Sequence, residues 1–547
     1  MFRRAILLTL VLGVFTLEIA CGSGNSASED DTLRIISGSE NQTLEPILEK
    51  FADDNHAKIP LTYKGSVDIM LALRQGAPDY DAVWPANSLW VSIGDTNHVV
   101  KSSQSIMTSP VVLGIKRSIA DGLGWVGKDV TVEDIVTAAK SQHLRLMMTS
   151  ASQSNSGASA YFGFLHAFSG TSDAVTSDNL HDPNVQEKVK EILGLINRSA
   201  QSSGFLKDLF LQRYNDFDGM FNYESLLIEA NTGSTDANGD HVKGLLDNGQ
   251  EALFAIYPKD GLAIADSPLG FVDHGNARKA QLFEKLQQYL LSDDVQKQLL
   301  SRGRRIGLAG TLNQTNVDTS VFNKDWGIDL SRTIVPIRFP APAVIQEAID
   351  LYQTGFRKGS FTAYCLDFSG SMIGDGEAQL KRAMATLLDQ DQAKNYLLQA
   401  SPDDITAVLT FNDKVINATD IPGWTVRGNA SVDMTSLLRR IEQQQAGGGT
   451  AIYSCAAQAL RTMKGTGIDN RFPAVILMTD GMSNVGSLDE LTSAVRETGL
   501  SDVPVYAITF GEASFDQLNT IAAQTGAKVF DGKTDLVGAF RQAKGNN

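Results

Sequence analysis

Between residues 361 and 525 the chain alternates two patterns. Short, nearly continuous apolar runs at 361–366, 405–411, 474–478 and 505–510 are separated by stretches at 379–388, 452–463, 488–497 and 515–525, where apolar residues recur every three or four positions. Continuous apolar runs of this length read as strands covered on both faces, and the intervening spacing reads as helices with one apolar stripe. Strand and helix in strict alternation predict a doubly wound α/β domain with a parallel sheet, whose ligands sit beyond the carboxyl ends of the strands.

Those ends carry oxygen-bearing side chains. The first run leads into Asp367-Phe368-Ser369-Gly370-Ser371, a glycine run precedes Thr450, and the third strand leads into Thr479-Asp480-Gly481. Two carboxylates and three hydroxyls suit a hard divalent cation, which takes about six oxygens and retains some waters. Mg²⁺ fits best, and Mn²⁺ and Ca²⁺ share its preference for oxygen. An ion held so sparingly keeps a position open for a carboxylate from another molecule. The order D-x-S-x-S, then Thr, then T-D-G resembles the von Willebrand factor A (VWA) domain with its metal-ion-dependent adhesion site. The resemblance implies that Ser369, Ser371 and Thr450 offer hydroxyls to the metal, that Asp367 and Asp480 bind it directly or through water, and that residues 343–547 form the domain.

At the amino terminus, Arg3 and Arg4 precede an apolar stretch from Ala5 to Phe15 that runs on to Ala20-Cys21-Gly22-Ser23. A basic start followed by a short apolar run is a secretory signal. Cys21 after a small residue resembles a bacterial lipobox, although Glu18 stands where an aliphatic residue is usual. The resemblance implies cleavage before Cys21 and lipidation of its sulfur. Residues 1–21 are then signal and 22–31 a polar linker, and the mature protein is lipid-anchored at the outer face of the cell membrane or in the periplasm. Ordinary secretion and a short uncleaved anchor are the alternatives.

A chain of 547 residues is too long for one core. Its net charge of −16 opposes nonspecific nucleic-acid binding, which needs a basic face. With Cys21 acylated, Cys365 and Cys455 remain. Two buried free thiols are the expectation, since free cysteine packs as a small hydrophobe, with a bridge as the alternative in an oxidising envelope. The basic cluster Arg302, Arg304 and Arg305 reads as a solvated helix end. No H-E-x-x-H, G-x-S-x-G or Walker pattern occurs, and no nucleophile–base constellation supports an enzyme.

Across residues 32–335, strands that stop at Gly or Ser hand over to helices, as at Ser37-Gly38-Ser39-Glu40, Gly65-Ser66 and Thr149-Ser150. Such junctions aim backbone N–H groups outward and favour polar acceptors. The fragments I-S-G-S-E at 36–40, S-N-S-G-A-S at 154–159, F-N-Y-E-S at 221–225 and Y-P-K-D-G at 257–261 resemble type II periplasmic substrate-binding proteins of ABC transporters. This implies one lobe at 32–115 and 245–335, a second at 116–244, and a cleft lined by Ser39, Ser66, Ser150, Ser156 and Tyr223, with Glu224 as a further candidate. As a helix cap, each serine would need no ligand. Residues 336–342, rich in proline, read as a semi-rigid linker.

The expected protein is an envelope-anchored binding protein, not an enzyme. Its VWA metal site engages an acidic group of a protein partner, with a solute-binding-like module as the candidate control of that site. The alternative is a solute receptor of an ABC-type transport system, delivering a small solute to a permease with the VWA domain as docking aid.

Overall fold

The computed structural model describes residues 28–236, 240–307, 317–510, 515–533 and 535–545. The expected signal segment and Cys21 lie outside the described residues. No helix among the described residues is long and apolar enough to cross a membrane.

The amino-terminal module has two sheets. In the first, Leu61–Lys64, Ile35–Gly38 and Ala82–Trp84 run parallel, and Pro268–Val272 and Val100–Ser105 complete it in antiparallel pairings. In the second, the order is Leu253–Ile256, Ser109–Lys116, Gly219–Tyr223, Leu146–Thr149 and Ile196–Ala200, with Ile264–Ala265 paired to Ser109–Lys116. Helices flank both, several with explicit start signals. Thr131 and Asp134 form a reciprocal capping box on Val132–Ser141, and Asn276 accepts from the first N–H groups of Ala277–Leu290.

The chain changes sheets at 106–108 and again at 266–267, not at the lobe limits read from sequence. Strands Ser109–Lys116 and Leu253–Ile256 pair with each other, and Ser109–Lys116 also pairs with Gly219–Tyr223, so all belong to the second lobe. Phe322, Trp326 and Ile328 also pack there, in a cluster with Phe210, Leu227 and Tyr257. Apolar spacing marks a strand but does not name its neighbour, and this is why the limits move.

Two expected linkers are also tied down. Residues 29–31 form a short 3₁₀ turn in which Asp31 pairs with Arg278 at 2.7 Å. At the other connection, Ile337 N–H donates to the Leu262 carbonyl at 2.7 Å, and helix Pro342–Leu351 packs Ile345 and Ile349 into the core that holds Tyr161 and Phe162. The Tyr161 hydroxyl donates to the Ala348 carbonyl at 2.9 Å. Residues 336–356 are therefore a packed strut on the second lobe.

The carboxy-terminal sheet runs Thr425–Arg427, Ile405–Phe411, Ser360–Asp367, Phe472–Thr479, Val505–Thr509 and Val529–Asp531, all parallel except the short antiparallel edge Thr425–Arg427. Alternate residues face opposite layers. Leu366, Val408, Ile476 and Ile508 pack with Leu380, Leu437 and Phe540 on one side, while Cys365, Leu409, Leu477 and Ala507 pack with Leu460, Leu491 and Leu518 on the other. Burial on both faces is what the uninterrupted apolar runs required.

Candidate functional site

Three loops meet at the carboxyl edge of the carboxy-terminal sheet. Asp367 ends its strand, Asp480 follows Phe472–Thr479, and the glycine loop before Thr450 is stitched to the first by Gly370 N–H to the Gly448 carbonyl at 3.0 Å and Gly447 N–H to the Phe368 carbonyl at 2.8 Å. Gly448 sits at φ +88°, where a side chain would be strained.

The five predicted side chains come together. Asp367 Oδ1 accepts from Ser369 N–H at 2.8 Å and Oδ2 from the Thr479 hydroxyl at 2.6 Å. The Ser369 and Ser371 hydroxyls are 3.1 Å apart, and Ser371 donates to Asp480 Oδ1 at 2.7 Å. A Cβ placed on Gly481 would lie 3.3 Å from Ser371 Oγ and 3.9 Å from Thr450 Oγ1, so the hydroxyls of the first and third loops both border that glycine. Asp367 is fully buried and Ser371 exposed, giving the cluster a dry floor and a wet mouth.

Burial pushes the Asp367 carboxyl up to about 6, against the hydrogen bonds from Thr479 and Ser369, and the neighbouring Asp480 charge adds to the rise. Burial also raises Asp480. Two destabilised carboxylates among hydroxyls form a donor set that a hard cation fits. No group of three or more His, Cys, Asp or Glu that could hold a metal occurs among the described residues, so an ion here would depend on hydroxyls and water.

The motif reading passed over the residues that hold this cluster in place. Thr479 anchors Asp367, Asn484 Oδ1 accepts from Thr450 N–H at 2.8 Å, and the Ser483 hydroxyl donates to the Thr450 carbonyl at 2.9 Å. Thr479 was readable from its place before Asp480, whereas Ser483 and Asn484 carry no local signal. Cys365 and Cys455 are paired, with Cα atoms 6.0 Å apart, against the expectation of free thiols. Strand and helix bring them face to face, and the bridge joins the strand ending at Asp367 to helix Ile452–Thr466 just after Thr450.

The predicted cleft residues are scattered by comparison. Ser39 Oγ accepts from Gly204 N–H at 3.0 Å across the lobes, while Ser66 Oγ accepts from Ala86 N–H at 3.0 Å within the first lobe. Ser156 is buried between Thr149 and Ser203, at 2.8 Å from each hydroxyl. Ser150 faces a crevice against the second domain. Of the five, Tyr223 lines the small interlobe cavity, of about 20 Å³, together with Glu40, Ser109, Ser225 and Ser267. Ser39 and Ser66 satisfy backbone N–H groups, as caps do, while Ser150 and Ser156 pair with other hydroxyls.

The lobes are closed on each other. Val67 N–H donates to the Gln153 carbonyl at 3.0 Å and Trp90 Nε1–H to Asn155 Oδ1 at 2.7 Å. Arg304 and Arg305, expected in solvent, are buried. Arg305 forks onto Glu224 at 2.8 and 2.7 Å, and Arg304 pairs with Glu229. Burial alone would raise the Glu229 carboxyl, but Arg304 and Lys207 hold it down at about 2. Charges this deep survive only when paired, which is why the cluster left the surface. Glu40 keeps a carboxylate oxygen without a hydrogen-bond partner, and burial pushes its carboxyl up to about 7.

Residues 33–305 match the bacterial extracellular solute-binding protein family, and residues 363–538 match the von Willebrand factor type A domain. Comparison with curated proteins gave no match. Among solved structures, a von Willebrand factor type A protein from Catenulispora acidiphila is 19% identical over 35% of this chain with a TM-score of 0.29, and the chain spans 42% of that protein's length. A ferric binding protein from Campylobacter jejuni is 14% identical over 59% of this chain and 100% of its own, with a TM-score of 0.40. The periplasmic molybdate-binding protein of Azotobacter vinelandii is 14% identical over 50% of this chain and 100% of its own, with a TM-score of 0.34. The two family matches, together with the sheets described above, make this chain a bacterial extracellular solute-binding-type module joined to a von Willebrand factor type A domain.

Proposed function

We propose that this is an exported, envelope-anchored binding protein whose VWA domain holds a divalent cation, preferably Mg²⁺, and uses it to grip an acidic side chain of a protein partner. The observation that carries the reading is the hydroxyl–carboxylate chain Ser369–Ser371–Asp480 beside buried Asp367. Ser369, Ser371 and Thr450 would supply hydroxyls, with Asp367 and Asp480 binding directly or through water. The bound ion would supply a Lewis-acidic position for a carboxylate. The protein's part is to hold the hydroxyls in place above a buried Asp367. Export is supported by the match to extracellular solute-binding proteins and by the charged-then-apolar amino terminus. Lipidation at Cys21 would supply the anchor.

The test is capture from envelope extract with the soluble protein in Mg²⁺ or chelator, comparing the parent with Asp367→Ala. Partners retained only with metal and Asp367 support the reading, and an identical catch throughout overturns it. A second reading, a receptor passing a small solute to an ABC-type permease, is favoured by the interlobe cavity and by the unpaired oxygen of Glu40. Solute binding between the lobes that survives loss of Asp367 would support it.

A further inference from the structure

Where the VWA domain meets the second lobe, a crevice of about 50 Å³ is lined from both sides. Ser150 and Ser199 come from the lobe, Arg357 and Lys358 from the strut that enters the VWA sheet, and Lys544 from helix Leu536–Gly545. The volume has room for a few waters or one small oxyanion.

The charges here do not balance. Asp404 is the carboxylate within reach, and it is saturated: Arg357 grips it with two nitrogens, while Ser360 N–H at 2.7 Å, Ser401 N–H at 2.9 Å and the Ser360 hydroxyl at 3.0 Å occupy its remaining lone pairs. Asp403 acts on Arg357 only through its field. Lys358 and Lys544 form no salt bridge among the described residues. Lys544 Nζ donates to the Leu398 carbonyl at 3.0 Å and Lys358 Nζ to the Ile196 carbonyl at 3.4 Å. The Arg357 Nε–H is buried with no hydrogen-bond partner. Burial pulls the Lys544 ammonium down to about 8, against the field of Asp404, and also lowers Lys358. A buried guanidinium N–H without a partner, beside two lysines that no carboxylate pairs, is uncommon around an accessible void in a native interior and asks for an occupant.

We propose that this interdomain crevice is a binding site for a small oxyanion of the phosphate class, held by Lys358, Lys544 and the Arg357 Nε–H with the Ser150 and Ser199 hydroxyls beside it. An anion there touches the lobe, the strut and the VWA helix at once. It therefore favours the docked arrangement of the two domains, because a ligand that binds one state stabilises that state. The site is separate from the adhesion cluster and from the interlobe cavity, with which it shares no lining residue.

The test uses the full-length soluble protein with inorganic phosphate, against chloride at matched ionic strength, read by thermal unfolding and titration calorimetry. The expected result is a saturable rise in melting temperature and an affinity at least tenfold weaker in Lys544→Met and in Lys358→Gln. The second variant is less deeply set and covers the case in which the first fails to fold. A phosphate response equal to that of chloride, or unchanged in Lys358→Gln, would overturn the proposal. So would a response that survives in both lysine variants but vanishes in Ser39→Ala, because the phosphate would then sit between the lobes.

Discussion

Arg541 Nε donates to Asp68 Oδ1 at 2.8 Å, joining the VWA helix Leu536–Gly545 to helix Ser66–Arg74 of the first lobe. The same guanidinium donates from Nη2 to the Ser152 carbonyl of the second lobe at 2.8 Å, and the side chain of Gln153 returns a bond to the Arg541 carbonyl. One buried arginine of the VWA domain thus touches both lobes at the point where Val67 and Gln153 already bridge them. Arg198 to the Tyr506 hydroxyl at 2.8 Å and Lys528 over the Phe205 ring at 3.6 Å extend the contact.

This junction predicts that Arg541→Ala uncouples the domains. Removing one partner of a largely buried ion pair costs about 3 kcal/mol, because the carboxylate left behind stays desolvated. Calorimetry should show two transitions in the variant where the parent shows one. A single transition within about 0.5 kcal/mol of the parent, the usual range for inconsequential surface changes, would sink the idea.

Metal affinity should follow the titration of Asp367. Its folded-state carboxyl sits at about 6, above its value in the unfolded chain, so metal-free stability from this group is complete below the unfolded value and is lost as pH rises through 6. Metal needs the ionised form, so Mg²⁺ affinity should climb about tenfold per unit up to pH 6 and level off above it. Calorimetric titrations between pH 5 and 8 check this, and a flat profile below pH 6 contradicts it.

Removing the Cys365–Cys455 bridge should destabilise the VWA domain by about 2–5 kcal/mol, since the bond closes a long loop, of sequence separation 90. Because it also pins the strand of Asp367 to the helix after Thr450, metal affinity should fall with it. Urea unfolding and Mg²⁺ titration of a Cys365→Ala, Cys455→Ala double variant measure both effects.

Glu224→Gln should cost about 3–5 kcal/mol in urea unfolding, because it leaves the Arg305 guanidinium buried without its carboxylate. Replacing Glu224 and Arg305 together by Met should recover much of that loss. If the double variant is as unstable as the single one, packing, not the unpaired charge, is responsible.

Much of the VWA domain could be read before any coordinates. Strand 405–411 and the cores of the other three strands follow from nearly continuous apolar runs, because a parallel strand buried on both faces has few places for a polar residue. The proximity of the hydroxyls and carboxylates at the VWA edge was legible for a related reason: these side chains stand at the ends of those strands or in the loops beside them, so local order along the chain nearly fixes their neighbourhood. The cleft was not legible in this way. A serine after a strand looks the same whether it faces a solute, caps a helix or braces a loop, and Ser66, Ser150 and Ser156 each found a different neighbour.

Local pattern and chemistry thus settled which segments are strands and helices and which oxygens gather at the VWA edge, since these depend on residues close in sequence. Packing between distant segments settled the rest. It set the sheet each strand joined, turned a proline-rich connection into a strut, drew Arg304 and Arg305 inward to Glu229 and Glu224, paired the cysteines, and seated Arg541 between two lobes. Those outcomes depend on which buried charge finds a partner and which apolar face finds a cover, and neither is encoded in the spacing of residues along one segment.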